Sequence, residues 1–211
     1  MSNLKIKVCG MRDIKNILSL AELKPDLMGF VFYPASPRFA GETSWQDLFS
    51  SFPTGIVKTG VFVNASLDNI KAMILRFGLN AVQLHGDESP EICKKLRSLG
   101  VKVIKAFRID ENTDFSKMKD YVSCSNWFLF DKATELHGGS GESFNWKLLE
   151  KYNLLHPFFL SGGIDLEDAV QILSINHPSL DGVDINSKFE IEPGVKDIEK
   201  VRKFMEKIRS S

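Results

Sequence analysis

Short, nearly continuous apolar runs recur along the whole chain, at 4–8, 27–33, 56–63, 80–84, 102–107, 127–131, 157–161 and 181–185. Met28-Gly29-Phe30-Val31-Phe32 and Val101-Lys102-Val103-Ile104 are typical. Runs of this texture suit parallel strands covered on both faces. Between them lie segments with helical period. Leu67, Ile70, Ile74 and Phe77 fall on one helix face, with Asp68, Lys71 and Arg76 elsewhere, and Ile92, Leu96 and Leu99 do the same in the next segment. Ser66 and Asp165 stand as N-caps before Leu67 and Leu166. The helices expected around 114–122 and 143–151 carry the faintest patterns. Regular strand–helix alternation leaves an open doubly wound sheet or a closed (βα)8 barrel. Eight strands in 211 residues favour the α/β TIM barrel, one compact catalytic domain over 1–211.

Lys plus Arg and Asp plus Glu both total 27, so nothing in the charge balance calls for nucleic acid or an anionic membrane as partner. A small anionic substrate remains compatible with it. The start, Met1-Ser2-Asn3-Leu4-Lys5, leads straight into a strand pattern rather than a signal peptide, and no apolar run approaches a membrane span. The three cysteines are widely spaced with no CxxC pair, and the four histidines show no ligand spacing. Disulfides and metal are therefore not expected, and a reducing cytoplasm is. A monomer is the expected state.

In a (βα)8 barrel the C-terminal ends of the strands converge on one active-site face. Cys9 and Asp131 each end an apolar run. The plain reading of Cys9 is a small packed residue. Against it, Gly10 leaves space for a sharp turn above the thiol, and Arg12 is near enough in sequence to bias a thiolate. At an unperturbed pKa near ~8.5, use of the thiolate at neutral pH costs roughly 2 kcal/mol, which catalysis tolerates. Cys93 and Cys124 read as packing residues. Asp131 follows four apolar residues, where burial would let it hold a proton, unless it is a surface carboxylate paired with Lys132. Asp184 could bind a sugar hydroxyl or cap the turn after its strand.

Two glycine-rich turns, Gly138-Gly139-Ser140-Gly141 and Ser161-Gly162-Gly163, follow the sixth and seventh strands, and Asn186-Ser187 follows the eighth. Successive glycine amides can converge on an anion, and the loops after strands seven and eight are the usual phosphate site of such barrels. Arg38 sits in Pro34-Ala35-Ser36-Pro37-Arg38, where two prolines would aim its guanidinium at a carboxylate. His85 ends the fourth strand and could face the same site. Together these groups suggest an isomerase acting on a phosphorylated sugar.

The motifs also resemble a known family. Lys7-Val8-Cys9-Gly10-Met11-Arg12, Gly29-Phe30-Val31-Phe32-Tyr33-Pro34-Ala35-Ser36-Pro37-Arg38, Gly60-Val61-Phe62-Val63-Asn64 and Val82-Gln83-Leu84-His85-Gly86 look like those of phosphoribosylanthranilate isomerases. So do Leu129-Phe130-Asp131, the Gly138–Gly141 loop, Leu160-Ser161-Gly162-Gly163-Ile164, Gly182-Val183-Asp184 and Pro193-Gly194-Val195-Lys196-Asp197, in family order. The resemblance implies a cofactor-free (βα)8 barrel catalysing the third step from chorismate to tryptophan. It implies Cys9 as general base, Asp131 as general acid and Arg38 as the holder of the anthranilate carboxylate. It further implies Ser161-Gly162-Gly163 and Asn186-Ser187 as phosphate loops, with Gly139, Ser140 and Gly141 folding over the substrate. Gln83, His85 and Asp184 are expected to face the substrate as well. The implied chemistry is an Amadori rearrangement.

Three positions depart from the family's pattern. Asn145 stands where aspartate is common, Lys188-Phe189 replaces a small residue, and Ala35 removes a second cation near Arg38. A related histidine-pathway isomerase performs the same rearrangement with two aspartates, one at the first strand end, where this chain has Cys9. The alternative of another class is a non-catalytic barrel that binds a phosphorylated ligand.

Overall fold

A computed structural model of the protein describes residues 4–41, 48–49, 52–132 and 146–210. Eight parallel strands close into a barrel in sequence order. They are β1 (Lys5–Val8), β2 (Leu27–Val31), β3 (Val57–Phe62), β4 (Ala81–Leu84), β5 (Lys102–Ile109), β6 (Trp127–Lys132), β7 (Phe158–Leu160) and β8 (Leu180–Ile185). Closure is made by β1 against β8, with Lys7 opposite Asp184 and Val8 opposite Ile185. Every apolar run expected to be a strand is one. The second ends at Val31 rather than at 33 because Tyr33 begins a turn, held by Ser36 and Phe39 donating to Tyr33 and Ser36 carbonyls.

The strands are apolar on both faces because each face has its own cover. Outward residues such as Phe30, Phe128, Phe130 and Phe158 join one large cluster beneath the helices. On the alternate face, Leu27, Ile104, Ala106, Leu129 and Phe159 form a smaller plug inside the barrel. Each fully buried side chain of this size contributes about 1.5–3 kcal/mol relative to exposure. The strand period of two carries each inward face on to the mouth of the barrel. Leu129 is thus followed on its face by Asp131, Gln83 by His85, and Lys7 by Cys9.

Among the described residues the helices are α1 (Ile14–Glu22), α2 (Leu67–Phe77), α3 (Pro90–Arg97), α4 (Lys119–Val122), α5 (Ala169–Leu173) and α6 (Ile198–Arg209). Ser66 caps α2 by accepting from Asn69 N, as its place in the sequence suggests. In α6, Val201, Phe204, Met205 and Ile208 recur at helical spacing and are buried. The fifth connection is a 3-10 turn, Phe115–Met118, running into α4, and the sixth is a 3-10 segment, Trp146–Lys151. Leu99 does not share the buried face of Leu96. Helix α3 stops at Arg97 with Ser98 as its cap, leaving Leu99 47% exposed. No described helix is long and apolar enough to cross a membrane.

After β8 the chain makes a hairpin, β9 (Glu190–Glu192) with β10 (Val195–Lys196), turned by Pro193 and Gly194 at φ +90. Asn16 of α1 grips this hairpin from both sides. Its amide donates to the Lys196 carbonyl at 2.8 Å and accepts from Lys196 N at 2.7 Å. The hairpin thereby returns to the mouth of the barrel beside β1.

Candidate active site

Cys9, Arg38, Gln83, His85, Asp131, Ser161, Gly162, Gly163, Asp184, Asn186 and Ser187 all line one cavity of about 280 Å³ at the C-terminal ends of the strands. These come from six segments of the chain, brought together by barrel closure. Gly139, Ser140 and Gly141 lie outside the described residues, as does Asn145. Val31, Val61 and Tyr33 supply an apolar wall to the same cavity.

The environment of Cys9 differs from the sequence expectation in two respects. Arg12 is not its cation: Arg12 donates from Nη1 to the Pro37 carbonyl at 3.2 Å and from its backbone N to Gly194 O. Instead Lys7, two residues back on the same inward face, brings its ammonium to the hollow beside Gly29 that the sulfur also borders, and its charge favours the thiolate. Nor is the thiol of ordinary acidity. Cys9 is 5% exposed, and burial pushes its pKa up against the pull of Lys7. Lys7 itself has no exposed surface and donates to both Asp184 oxygens at 2.9 Å. Burial disfavours that ammonium, but the Asp184 carboxylate overrides it and holds the Lys7 pKa above the usual lysine value. Asp184 therefore does not cap the turn after β8; it is the counter-ion of a lysine inside the barrel.

Asp131 stands at the rim rather than in the apolar layer, with 29% of its side chain exposed, so the expected burial of its carboxyl is not found. It is not paired with the Lys132 ammonium in the expected way either. The Lys132 backbone N–H donates to Asp131 Oδ1 at 3.0 Å, and His85 Nε2 lies 3.3 Å from Oδ2. His85 Nδ1 is in turn 2.8 Å from Gln83 Nε2. Gln83 thus holds one ring nitrogen of His85 while the other faces Asp131. Gln83 is 1% exposed, and its Oε1 finds no partner among the described residues.

Gly162 and Gly163 both take positive φ, +91 and +71, which side-chain-bearing residues rarely adopt. A Cβ on Gly162 would stand 2.7 Å from Lys132 N and 3.0 Å from Asp131 Oδ1, so the turn after β7 packs directly on the candidate acid. The following helix is weaker than the sequence implies. Asp165 caps a three-residue 3-10 turn, Leu166–Asp168, through a capping box with Asp168, and only then does α5 begin. An anion at this turn would meet the glycine amides more than a helix dipole. Lys188 is exposed and stands outside the cavity lining.

Arg38 is already engaged. Its Nε and Nη2 grip Glu190 at 2.8 and 2.6 Å, which leaves the end-on Nη1/Nη2 edge for another carboxylate. Glu190 also accepts from Lys196 Nζ at 2.7 Å, and Lys196 reaches Asn186 Oδ1 at 2.7 Å. This chain of contacts ties the carboxylate-binding candidate to the phosphate-loop candidate and leaves the trio with one net positive charge. Lys7, Glu190 and Lys196 were not singled out from the sequence. For Lys7 the signal was present: residues two apart on a strand share a face, so a lysine at 7 must point where Cys9 points. Glu190 and Lys196 depend on the return of the hairpin, which no local pattern announces.

The sequence matches, over residues 6–207, the family model described as N-(5'phosphoribosyl)anthranilate (PRA) isomerase. It is 44% identical over 204 residues to an N-(5'-phosphoribosyl)anthranilate isomerase of Parabacteroides distasonis, covering 96% of this chain and 92% of that one. The structure is similar to that of phosphoribosyl anthranilate isomerase from Thermotoga maritima, at TM-score 0.85 and 30% identity over 99% of this chain and 100% of the other. It is also similar to a phosphoribosyl anthranilate isomerase in complex with reduced 1-(o-carboxyphenylamino)-1-deoxyribulose 5-phosphate, at TM-score 0.82 and 28% identity, over 99% and 100% of the two chains.

Proposed function

The chain belongs to the N-(5'-phosphoribosyl)anthranilate isomerase family, and on that premise we propose that Cys9 and Asp131 are the base and acid with which it converts N-(5-phosphoribosyl)anthranilate to 1-(2-carboxyphenylamino)-1-deoxyribulose 5-phosphate. The reaction belongs to tryptophan biosynthesis. The observation that carries the assignment is that the thiol, the carboxyl, the arginine and the glycine turn line one cavity.

Asp131 protonates the ribose ring oxygen, and the C1–O bond opens to a protonated Schiff base. The Cys9 thiolate takes the proton from C2. The C–H electron pair forms the C1=C2 bond, and the iminium π pair moves to nitrogen, giving an enolamine that tautomerises to the ketose. The iminium makes that C–H acidic, so a weak base suffices. Gly162 and Gly163 amides, with Asn186 and Ser187, receive the phosphate. The free edge of Arg38 receives the anthranilate carboxylate, while Val31, Val61 and Tyr33 face the aromatic ring. His85 and Asp184 meet the sugar hydroxyls, with Gln83 fixing the imidazole. Holding the substrate at both anionic groups orients C1 and C2 between acid and base. The enzyme acts as a single-domain cytoplasmic monomer, without cofactor, and sedimentation at working concentration tests the monomer.

The decisive experiment follows the loss of anthranilate-type fluorescence as freshly made substrate is consumed, in wild type, Cys9→Ala and Asp131→Asn. Loss of one acid or base group is expected to lower kcat by about 10²–10⁴-fold. Wild-type kcat in a folded Cys9→Ala or Asp131→Asn protein overturns the corresponding role. Binding without turnover by wild type would make the chain a ligand-binding barrel instead. Turnover of the histidine-pathway aminoaldose would overturn the ranking of this reading above the related two-aspartate isomerase.

A further inference from the structure

Lys7 is a charged side chain with no exposed surface, held inside the barrel where the mechanism above gives it nothing to do. An ammonium has three N–H bonds. Two are directed at Asp184 Oδ1 and Oδ2, both at 2.9 Å, and the remaining one is left for the Cys9 sulfur on the same inward face. The two groups meet in a hollow opened by Gly29 on β2. A Cβ there would lie 2.6 Å from Cys9 Sγ and 3.1 Å from Lys7 Nζ.

We propose that Lys7 is a positioning residue for the isomerisation: anchored by Asp184, its ammonium is the fixed counter-cation of the Cys9 sulfur and holds it as the thiolate that removes the C2 proton. The inference rests on the reading of Cys9 as the base. It answers a difficulty of that reading, since a thiolate enclosed in the barrel needs a cation at the sulfur itself. The other cations near the site are committed elsewhere. Arg38 and Lys196 are both bound to Glu190, and Arg12 is bound to Pro37. A compact ammonium fits where a planar guanidinium would not, because its three donors diverge toward three acceptors. Lys7 stays protonated throughout; the proton abstracted from C2 resides on sulfur.

Cys9 is faced by Lys7 from its own strand, by Asp184 from β8 and by Lys196 from β10, with Asp131 and His85 lining the same cavity. The test exploits the opposite charges of the Lys7–Asp184 pair. Cys9 ionisation is titrated without substrate by ultraviolet thiolate absorbance, subtracting the Cys9→Ser spectrum, and compared with the pH profile of kcat. Lys7→Met is expected to move both upward by at least about one pH unit, a tenfold loss of thiolate at fixed pH. Asp184→Asn removes the competing anion and leaves the Cys9 thiolate as the anion that the Lys7 ammonium then faces, so it is expected to move the titration downward. A pair that only stabilises the barrel would shift Cys9 in neither variant, or in the same direction in both, and either result overturns the proposal. Should Lys7→Met fail to fold, ¹⁵N resonances of the lysine ammonium groups decide on the native side chain. The Lys7 signal must respond to the thiol titration in wild type and lose that response in Cys9→Ser; a flat signal in wild type refutes the contact. Full turnover by Cys9→Ala would sink the base assignment itself, a separate outcome from the substrate-free titration.

Discussion

Replacing Gly162 with alanine separates two demands that the turn after β7 makes on one residue. The backbone sits at φ +91. Left-handed backbone costs a residue with a Cβ roughly 1–2 kcal/mol. The new Cβ would also stand 2.7 Å from Lys132 N where ordinary contact begins at 3.4 Å, so the ends of β6 and β7 must part by about 0.7 Å. The same atom lies 3.0 Å from Asp131 Oδ1, so the carboxyl is displaced with them. A total loss of about 2–3 kcal/mol is expected from strain and overpacking together. At about 2–4 °C per kcal/mol, that is a fall of roughly 4–12 °C in Tm. A misplacement approaching one ångström at a proton donor costs up to about 10²-fold, so kcat should fall by about ten- to a hundredfold. Gly55→Ala is the control, because Gly55 is at φ +100 with nothing within 4 Å of its missing Cβ. It carries the backbone penalty without the collision. Calorimetry of both variants, with fluorescence turnover, makes the comparison. If Gly162→Ala melts no lower than Gly55→Ala and keeps kcat within about twofold of wild type, the turn does not position Asp131 by packing and the reasoning fails.

Glu190→Gln leaves the fully buried Lys196 without its carboxylate, and truncating one side of such a pair costs about 3–5 kcal/mol by chemical denaturation. KM should rise in parallel as Arg38 loses its clamp. Burial works to raise the Glu190 pKa, but Arg38 and Lys196 hold it below the ordinary 4.5. Its stabilisation is therefore present above pH 4.5 and lost as pH falls below that, and the variant should show a flatter acid limb there. His156 is buried against Phe128 and Ser125, and burial lowers its pKa from 6.5 to about 4. The folded protein holds it neutral, so stability present above pH 6.5 should decline toward pH 4 by roughly 3 kcal/mol, a decline that urea melts of His156→Gln should lack. Asp165→Ala removes the capping box before α5 and should cost about 1 kcal/mol with kcat little changed; an equal loss in kcat would mean that the turn also orients Gly162 and Gly163.

The strands were legible because parallel strands covered on both faces leave continuous apolar runs, and nothing else in a chain of this length does so eight times. The helices were legible in proportion to their length. Helix α6 spans 12 residues and α2 spans 11, and both show the period clearly, whereas α4 and α5 have 4 and 5. Leu99 was misplaced because the period continues past Arg97 while the chain does not; Gly100 at φ +83 turns it away. Cys9, His85, Asp131 and Asp184 were legible as a group because each follows or ends an apolar run, and strand ends meet at one cavity. Their partners were another matter. Arg12 is three residues from Cys9 in sequence but bonds to Pro37, while the sulfur is served by a lysine in the strand itself. A lysine in a strand reads as solvent-facing unless the alternation is followed through to its consequence. Glu190 meets Arg38 across 152 residues, a contact that only barrel closure and the terminal hairpin create.

The ion pairs that join β1 to β8 also bear on when the molecule can become itself. Lys5 and Lys7 leave a ribosome well ahead of Asp181 and Asp184, which lie 176 and 177 positions downstream. Until the last strand arrives, β1 presents Lys7 in the interior and Lys5 at its half-exposed end without these carboxylates, and a seven-strand intermediate would hold them in a gap rather than a seam. Completion of the barrel is thus checked by charge at its final joint, late and across most of the length of the chain. A circular permutant that links β8 directly to β1 would turn this last, remote event into an early, local one. The same residues would then guide assembly instead of sealing it.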